Sequence, residues 1–385
     1  MKGTRIEPQV TSYLFAKAAG RHIPLSGTFE LSPLCNFSCR MCYVHLTGEE
    51  VRRSGLRMMT GEEWIRLARE ARDQGMLYLL LTGGEPFLYP GFRELYEKLA
   101  GMGLILSINT NGALIDAETA AWLRKRPPSR VNITLYGGSP ETYEALCGDA
   151  GGYEKTRKAI EYLQEAGISV KFNYSLTPYN ARDLEKMVRY AESRNLILQA
   201  AAYMFPAVRR GKGHTDARDR FTPEETARYL FEIRRLQLGE EATKQFARSI
   251  REGSAPAFSP ECGERSPDGT VKCRAGRAAF WITWHGEMRP CGMMEYPGTA
   301  VRNKSFEEAW KELTEQTGRI RLSGACSRCG SQKLCHACAA SALAETGQFE
   351  KTPGYLCQVV RALIKEAAGW ADPQTAGTAA QRRGI

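Results

Sequence analysis

The chain has 385 residues, of which 43% are hydrophobic and 25% charged, a balance that fits a folded protein long enough for two domains with separate cores. It excludes wholesale disorder and fibrous repeats, and no apolar run approaches the roughly twenty residues of a membrane span. The formal charge of +10 is weak evidence for an anionic partner, because metal–thiolate centres carry negative charge that the count omits, and no nucleic-acid or membrane partner is expected.

The stretch 1–27 scatters Arg5, Glu7, Lys17 and Arg21 among its apolar residues, unlike a signal peptide, so a cytoplasmic location is expected. A first strand is expected over 29–34. Thr60 and Glu63 then have the spacing of a capping box. Trp64, Leu67, Ala68 and Ala71 follow as one helical stripe, and Gly75 ends it. The apolar run 77–81 reads as a buried strand. The rhythm repeats with a helix from Phe92 and a strand over 104–108, then a helix near Ala117 and a strand over 131–135. A helix over 153–166 precedes a strand over 169–174, and a helix from Ala181 precedes a strand over 196–203. With the helix after Thr222 this makes six strand–helix units, an α/β fold built on a partial (β/α)6 TIM-like barrel.

Arg209, Arg210, Lys212, His214, Arg218 and Arg220 interrupt that rhythm, as a solvated loop or as a rim that meets an acidic peptide. Thr222 opens a charged helix running to about Glu252. The Pro- and Ser-rich segment 254–260 marks a boundary. The expected organisation is an N-terminal extension over 1–27, the barrel over 28–253, a small cysteine-rich α+β iron–sulfur domain over 254–360, and a helix end with a loose tail over 361–385.

Twelve cysteines without an export signal favour metal or redox chemistry over disulfides. Cys35, Cys39 and Cys42 lie in a loop after the first strand, at the barrel face where catalysis sits. Three thiolates so close can hold three irons of a [4Fe–4S] cube and leave the fourth open. The alternative is a zinc site completed by a distant ligand such as His45. Eight more cysteines run from Cys262 to Cys357, and their C-x2-C hooks would also suit zinc knuckles. Cys147 stands apart, as a buried thiol or as a hydrogen-atom donor near the site. His285 and His336 flank cysteines, either as solvated side chains, the expected reading, or as groups that tune a metal site by hydrogen bonding.

The stretch Cys35-Asn36-Phe37-Ser38-Cys39-Arg40-Met41-Cys42-Tyr43 closely resembles the C-x3-C-x2-C signature of the radical S-adenosylmethionine (radical SAM) superfamily. Met41 departs from the aromatic residue many members have there. Gly83-Gly84-Glu85-Pro86 is similar to the GGEP segment that binds the amino group of SAM in relatives, and Glu85 offers that ammonium a carboxylate. By the same resemblance Asn109, Asn111, Thr134 and Asn173 would contact the ribose or carboxylate of SAM.

The later cysteines resemble the SPASM extension, which binds two auxiliary [4Fe–4S] clusters. The resemblance implies that Cys273, Cys291, Cys338 and upstream Cys262 hold the first, and that Cys326, Cys329, Cys335 and Cys357 hold the second. The family spaces its last close pair by three residues; here His336 and Ala337 are two.

The cofactors so implied are three [4Fe–4S] clusters and SAM. The implied activity is reductive cleavage of SAM at Cys35, Cys39 and Cys42 to a 5′-deoxyadenosyl radical that takes a substrate hydrogen atom. The expected outcome is a cross-link, thioether or dehydrogenation in a ribosomally made peptide or protein. Alternatives are dehydrogenation of a small alcohol or sugar-like metabolite and, less expected, a non-catalytic metal-binding protein. Gly292 follows Cys291 where a sulfatase-modifying subgroup has Asp, so that activity is not implied. About 27 residues precede the first strand, fewer than the peptide-grasping module of roughly eighty that many relatives carry. The peptide is therefore expected to bind at the barrel mouth or to be brought by a separate protein, with electrons from a donor such as flavodoxin or ferredoxin.

Overall fold

The structure is a computed structural model that describes residues 9–206, 217–256, 266 and 268–371. Cys262 and the basic residues Arg209, Arg210, Lys212 and His214 lie outside the described residues.

A helix not anticipated from the sequence, α1 (Gln9–Arg21), precedes β1 (Ser26–Glu30). After the cysteine loop come α2 (Gly48–Ser54) and α3 (Gly61–Asp73). Strands and helices then alternate: β2 (Tyr78–Thr82), α4 (Phe92–Ala100), β3 (Ile105–Thr110), α5 (Ala117–Lys125) and β4 (Arg130–Thr134). Two helices, α6 (Pro140–Cys147) and α7 (Gly152–Glu165), lead to β5 (Val170–Ser175), α8 (Leu184–Ser193) and β6 (Ile197–Ala201). The charged helix expected to about Glu252 is two helices, α9 (Pro223–Leu238) and α10 (Glu240–Arg251). They break at Gly239, whose φ of +92° no helix accommodates.

The six strands pair in parallel, in the order β6-β5-β4-β3-β2-β1, which is the expected α/β partial barrel. The sheet continues past that set. After residue 254 the chain returns with β7 (Ala279–Ile282), which pairs parallel to β1, followed by β8 (Glu287–Arg289) and β9 (Thr299–Ala300) in antiparallel register. Gly27 on β1 permits this, since a Cβ there would sit 2.6 Å from the Phe280 ring. The C-terminal region is also more helical than its composition promised. It holds α11 (Phe306–Gly318), short α12 (Gly324–Ser327), α13 (Ala339–Thr346) and α14 (Gly354–Ala371).

Period-two alternation sorts the strand residues onto two faces. Phe29, Leu79, Leu81, Leu106, Ile108, Val131 and Ile133 are buried against the helices with Trp64, Leu67, Leu95, Leu99, Ile160 and Leu163. Phe280, Ile282, Phe306, Trp310 and Leu313 join the same cluster, so the core crosses the expected boundary without interruption. The other face is mixed: Leu80, Ile105 and Trp281 lie on it, and its polar members are Thr28 and Glu30, then Thr82, Asn109, Asn132, Thr134, Lys171 and Asn173. Because the strands are parallel, the loops after them emerge at one edge of the sheet.

The capping box that opens α3 also ties the C-terminal region to the barrel. Glu63 accepts from the Thr60 backbone at 2.8 Å, receives a bidentate Arg57 guanidinium at 2.9 and 2.8 Å, and lies 3.8 Å from Arg302. The Arg57 guanidinium holds the Glu63 carboxyl at about 2, below the usual carboxylate range. Glu63→Ala should therefore destabilise the protein by about 1 kcal/mol at neutral pH, read by urea denaturation. A depressed folded-state pKa contributes stability above the ordinary value and loses it below. The gap between wild type and variant should thus close as pH falls from about 4.5 toward 2; a gap independent of pH would show that the carboxylate charge contributes nothing.

Candidate active site

The loop after β1 carries Cys35, Cys39 and Cys42, and the loops after β2, β3 and β4 close around it. Backbone approach sets the first contact. Gly84 N–H donates to the Ser32 carbonyl at 2.6 Å and Glu85 N–H to the Leu34 carbonyl at 2.9 Å. A Cβ on Gly83 would lie 2.5 Å from the Ser32 oxygen, and one on Gly84 2.4 Å from the Leu34 oxygen. Both contacts are with backbone, which cannot step aside. Only glycine fits at either position.

Glu85 makes the second contact, and its role differs from the expected one. The side chain is fully buried. The Thr110 hydroxyl donates to both carboxylate oxygens at 2.8 and 2.9 Å, and the Asn111 and Phe87 N–H groups donate at 2.9 and 3.2 Å. The expected carboxylate–ammonium contact therefore does not fit, because Glu85 is already committed to protein donors and braces the β2 loop against the β3 loop. Burial raises its pKa to about 7 against the pull of those hydrogen bonds. Pro86 is buried and opens a single 3-10 turn behind it.

Asn111 returns to the cysteine loop. Its Nδ2 donates to Asn36 Oδ1 at 2.9 Å and lies 3.6 Å from Cys35 Sγ. Phe37 N–H donates to Cys35 Sγ at 3.4 Å and His45 N–H to Cys42 Sγ at 3.3 Å. From the other side, the C-terminal end of α6 holds the loop. Ser38 N–H donates to the Cys147 carbonyl at 2.9 Å, while Arg40 donates from its backbone to Leu146 at 3.0 Å and from Nε to Ala145 at 2.9 Å. Phe37 packs edge-on to Tyr136 and Tyr143.

The three thiols share one environment. Burial pushes the Cys35 thiol up to about 12, and Glu85, Cys39 and Cys42 add to the rise. Cys39 is raised well above the ordinary range by Cys147 and by burial, with the Tyr136 hydroxyl acting in the opposite direction. Bound to the irons of a cluster such thiols would be held as thiolates, with cysteine sulfur as donor and iron as acceptor. The loop thus fits a cluster held by three cysteines.

The remaining sequence-derived positions fall into two rows. Thr134 and Asn173 are register partners on the mixed face, in the row that Asn111 tops on β3. Asn109 lies one row deeper, paired with Asn132, whose Nδ2 donates to Asn109 Oδ1 at 2.7 Å. Asn132 was not anticipated beside these positions, although the alternation Arg130-Val131-Asn132-Ile133-Thr134 already put it on their face. Cys147 is buried, 1% exposed, at the end of α6 beside Cys39.

The later cysteines gather in two places. Burial raises the pKa of Cys357 on α14, and Cys326, Cys335 and Cys329 beside it add to the rise. Cys291 and Cys338 pack on one cluster with Met294, Ile320 and Leu343. Cys273 is half-buried. His336, expected in solvent, is half-buried, and burial lowers its pKa. Arg220 also leaves the solvated-loop description: it makes a bidentate pair with Glu345 at 2.7 and 3.1 Å.

Comparisons with known proteins agree with this geometry. Residues 29–191 match the family model of the radical SAM superfamily. The chain is 27% identical over 342 residues to the AdoMet-dependent heme synthase of Methanosarcina barkeri, covering 85% of this chain and 94% of that one. It is 25% identical over 323 residues to the mycofactocin maturase MftC of Mycobacterium ulcerans, covering 82% and 83%. Its fold superposes on Streptococcus suis SuiB bound to the precursor peptide SuiA with a TM-score of 0.64 at 20% identity, over 91% of this chain and 83% of that one. No described helix is long and apolar enough to cross a membrane. The chain is thus an enzyme that carries a radical SAM domain at residues 29–191, with that domain's SAM-binding [4Fe–4S] cluster and SAM as its implied cofactors.

Proposed function

We propose that this enzyme oxidatively modifies a ribosomally synthesised peptide, with two auxiliary clusters beside the SAM-binding one. The observation that carries the reading is the cysteine loop, in which burial raises the Cys35 and Cys39 thiols beside Cys42 at the edge of the parallel sheet where the loops after its strands emerge. When bound, the cluster and SAM supply a 5′-deoxyadenosyl radical that removes a substrate hydrogen atom.

The protein's own contribution is placement. Cys35, Cys39 and Cys42 hold the cluster, and α6 with the Phe37–Tyr136–Tyr143 aromatic layer covers its protein side from water. Gly83 and Gly84 bring backbone against the site, where the SAM ammonium meets carbonyl oxygens instead of Glu85. Asn111, Thr134 and Asn173 offer hydroxyl and amide groups to the ribose or carboxylate of SAM. Cys326, Cys329, Cys335 and Cys357 hold one auxiliary cluster, and Cys273, Cys291, Cys338 and Cys262 the other, as acceptors for the electron left on the product. A flavodoxin- or ferredoxin-like donor would reduce the first cluster in the cytoplasm, and a separate protein would present the peptide.

The likeness to maturases, MftC among them, and to a fold solved with its precursor peptide supports the peptide reading. The likeness to AdoMet-dependent heme synthases favours a non-peptide metabolite as the second reading. Anaerobic incubation with SAM, dithionite and a synthetic peptide encoded beside the gene separates them, since only the first predicts loss of hydrogen mass from the peptide.

Two measurements test the cofactor assignments. Cys35→Ala should lower 5′-deoxyadenosine formation more than about 100-fold, beyond the loss typical of outer-shell partners; wild-type rates in that variant would remove the mechanism. Anaerobically reconstituted protein should hold about twelve irons and as many sulfides. Cys357→Ser should bring both to about eight, and an unchanged count would place the second auxiliary cluster elsewhere.

A further inference from the structure

The inner face of the sheet contains an unsatisfied pair of polar atoms on residues not among the expected SAM contacts. Asn132 is 9% exposed, and its Oδ1 is buried without a hydrogen-bond donor, although its Nδ2 is held by Asn109. Two residues earlier on the same face of β4, the Arg130 Nε is buried without an acceptor. Buried polar atoms of this kind are rare in folded proteins, and each costs free energy until a partner arrives. Their positions are coordinated. Residues i and i+2 of a strand share a face, their Cα atoms about 6.6 Å apart, so an unpaired acceptor and an unpaired donor belong to neighbouring residues on one face.

The row directly above them holds Thr134 and Asn173, placed at the cluster edge of the sheet. A group bound at Arg130 and Asn132 would therefore lie deeper in the sheet than SAM, on the side away from the cysteine loop. A carboxylate would satisfy Arg130 but meet the Asn132 oxygen with like polarity. An ammonium would satisfy Asn132 but meet the guanidinium. A secondary amide supplies both what is lacking: its N–H for Asn132 Oδ1 and its carbonyl for Arg130 Nε–H.

We propose that Arg130 and Asn132 form a subsite for a secondary amide of the substrate, a peptide bond next to the residue that loses hydrogen. This rests on the peptide reading and deepens it by assigning the residues that fix the backbone. Binding through the backbone would accept varied side chains while holding one Cα or Cβ in register with the site above.

The test uses anaerobically reconstituted holoenzyme and two probes, N-propylacetamide and propyl acetate, titrated by saturation-transfer NMR. The probes have the same chain, but the ester lacks the N–H. Wild type should bind the amide about three- to tenfold more tightly, the range of one or two net hydrogen bonds. Asn132→Leu and Arg130→Met should each erase that preference, with iron–sulfur absorbance showing that the variants are folded and loaded. Equal binding of the probes by wild type, no binding of the amide, or a preference that survives in both folded variants would overturn the subsite. Formation of 5′-deoxyadenosine by wild type in the same preparation reports separately on the radical SAM reading.

Discussion

A carboxylate that solvent never reaches organises the active end of the sheet. Glu85 takes donors from Thr110 and Asn111 on the next strand's loop, while its own backbone N–H is bound to the Leu34 carbonyl one residue before the first cysteine. Asn111 closes the circuit by reaching Asn36 and Cys35. Three loops from three parallel strands are thus joined through one side chain and two glycines. Replacing the carboxylate would leave the Thr110 hydroxyl and the Asn111 N–H buried without acceptors, which is why the group persists despite a pKa raised to about 7. Precision at the cysteines follows from this brace, since each loop alone would be free to move by more than a catalytic geometry tolerates.

The same loop is held from behind by carbonyls at the end of α6. Those carbonyls are the orphan acceptors every helix leaves at its C-terminus, and here Ser38 and Arg40 satisfy them. Order in the cysteine loop and order in α6 therefore depend on each other. Cys147, at the end of α6, and burial together raise the Cys39 thiol, so the same contact that anchors the loop also favours its neutral form.

Much of this was legible in the sequence, for identifiable reasons. The capping box at Thr60 and Glu63 and the stripe through Ala71 are local signals, and all four stripe residues are buried as their spacing requires. The spacing of Cys35, Cys39 and Cys42 likewise survives any uncertainty in strand ends. Glu85 was misread because a sequence cannot show that Thr110 and Asn111 supply its hydrogen bonds from 25 and 26 residues away. The pairing of β7 with β1 spans some 250 residues and leaves no periodic trace. The break at Gly239 was written in the residue itself but lost within a charged run that remained helical on both sides.

That β7–β1 pairing has consequences for how electrons would move. β1 launches the cysteine loop, and β7 fixes the segment that leads through Cys291 to the later cysteines. The joint is reinforced on several sides: Met59 N–H binds the Trp284 carbonyl at 2.9 Å, Arg66 reaches the Val301 carbonyl at 2.9 Å, and the Phe306 N–H meets Glu70 at 2.8 Å. Across the molecule the bidentate Arg220–Glu345 pair, with Tyr203 donating to the same carboxylate at 3.0 Å, ties the end of the barrel to α13, whose N-cap is Cys338. A flexible tether would let the separation of cysteine groups vary from turnover to turnover. One shared sheet and one shared core hold it constant, and a constant separation is what any electron acceptor placed in the C-terminal region requires.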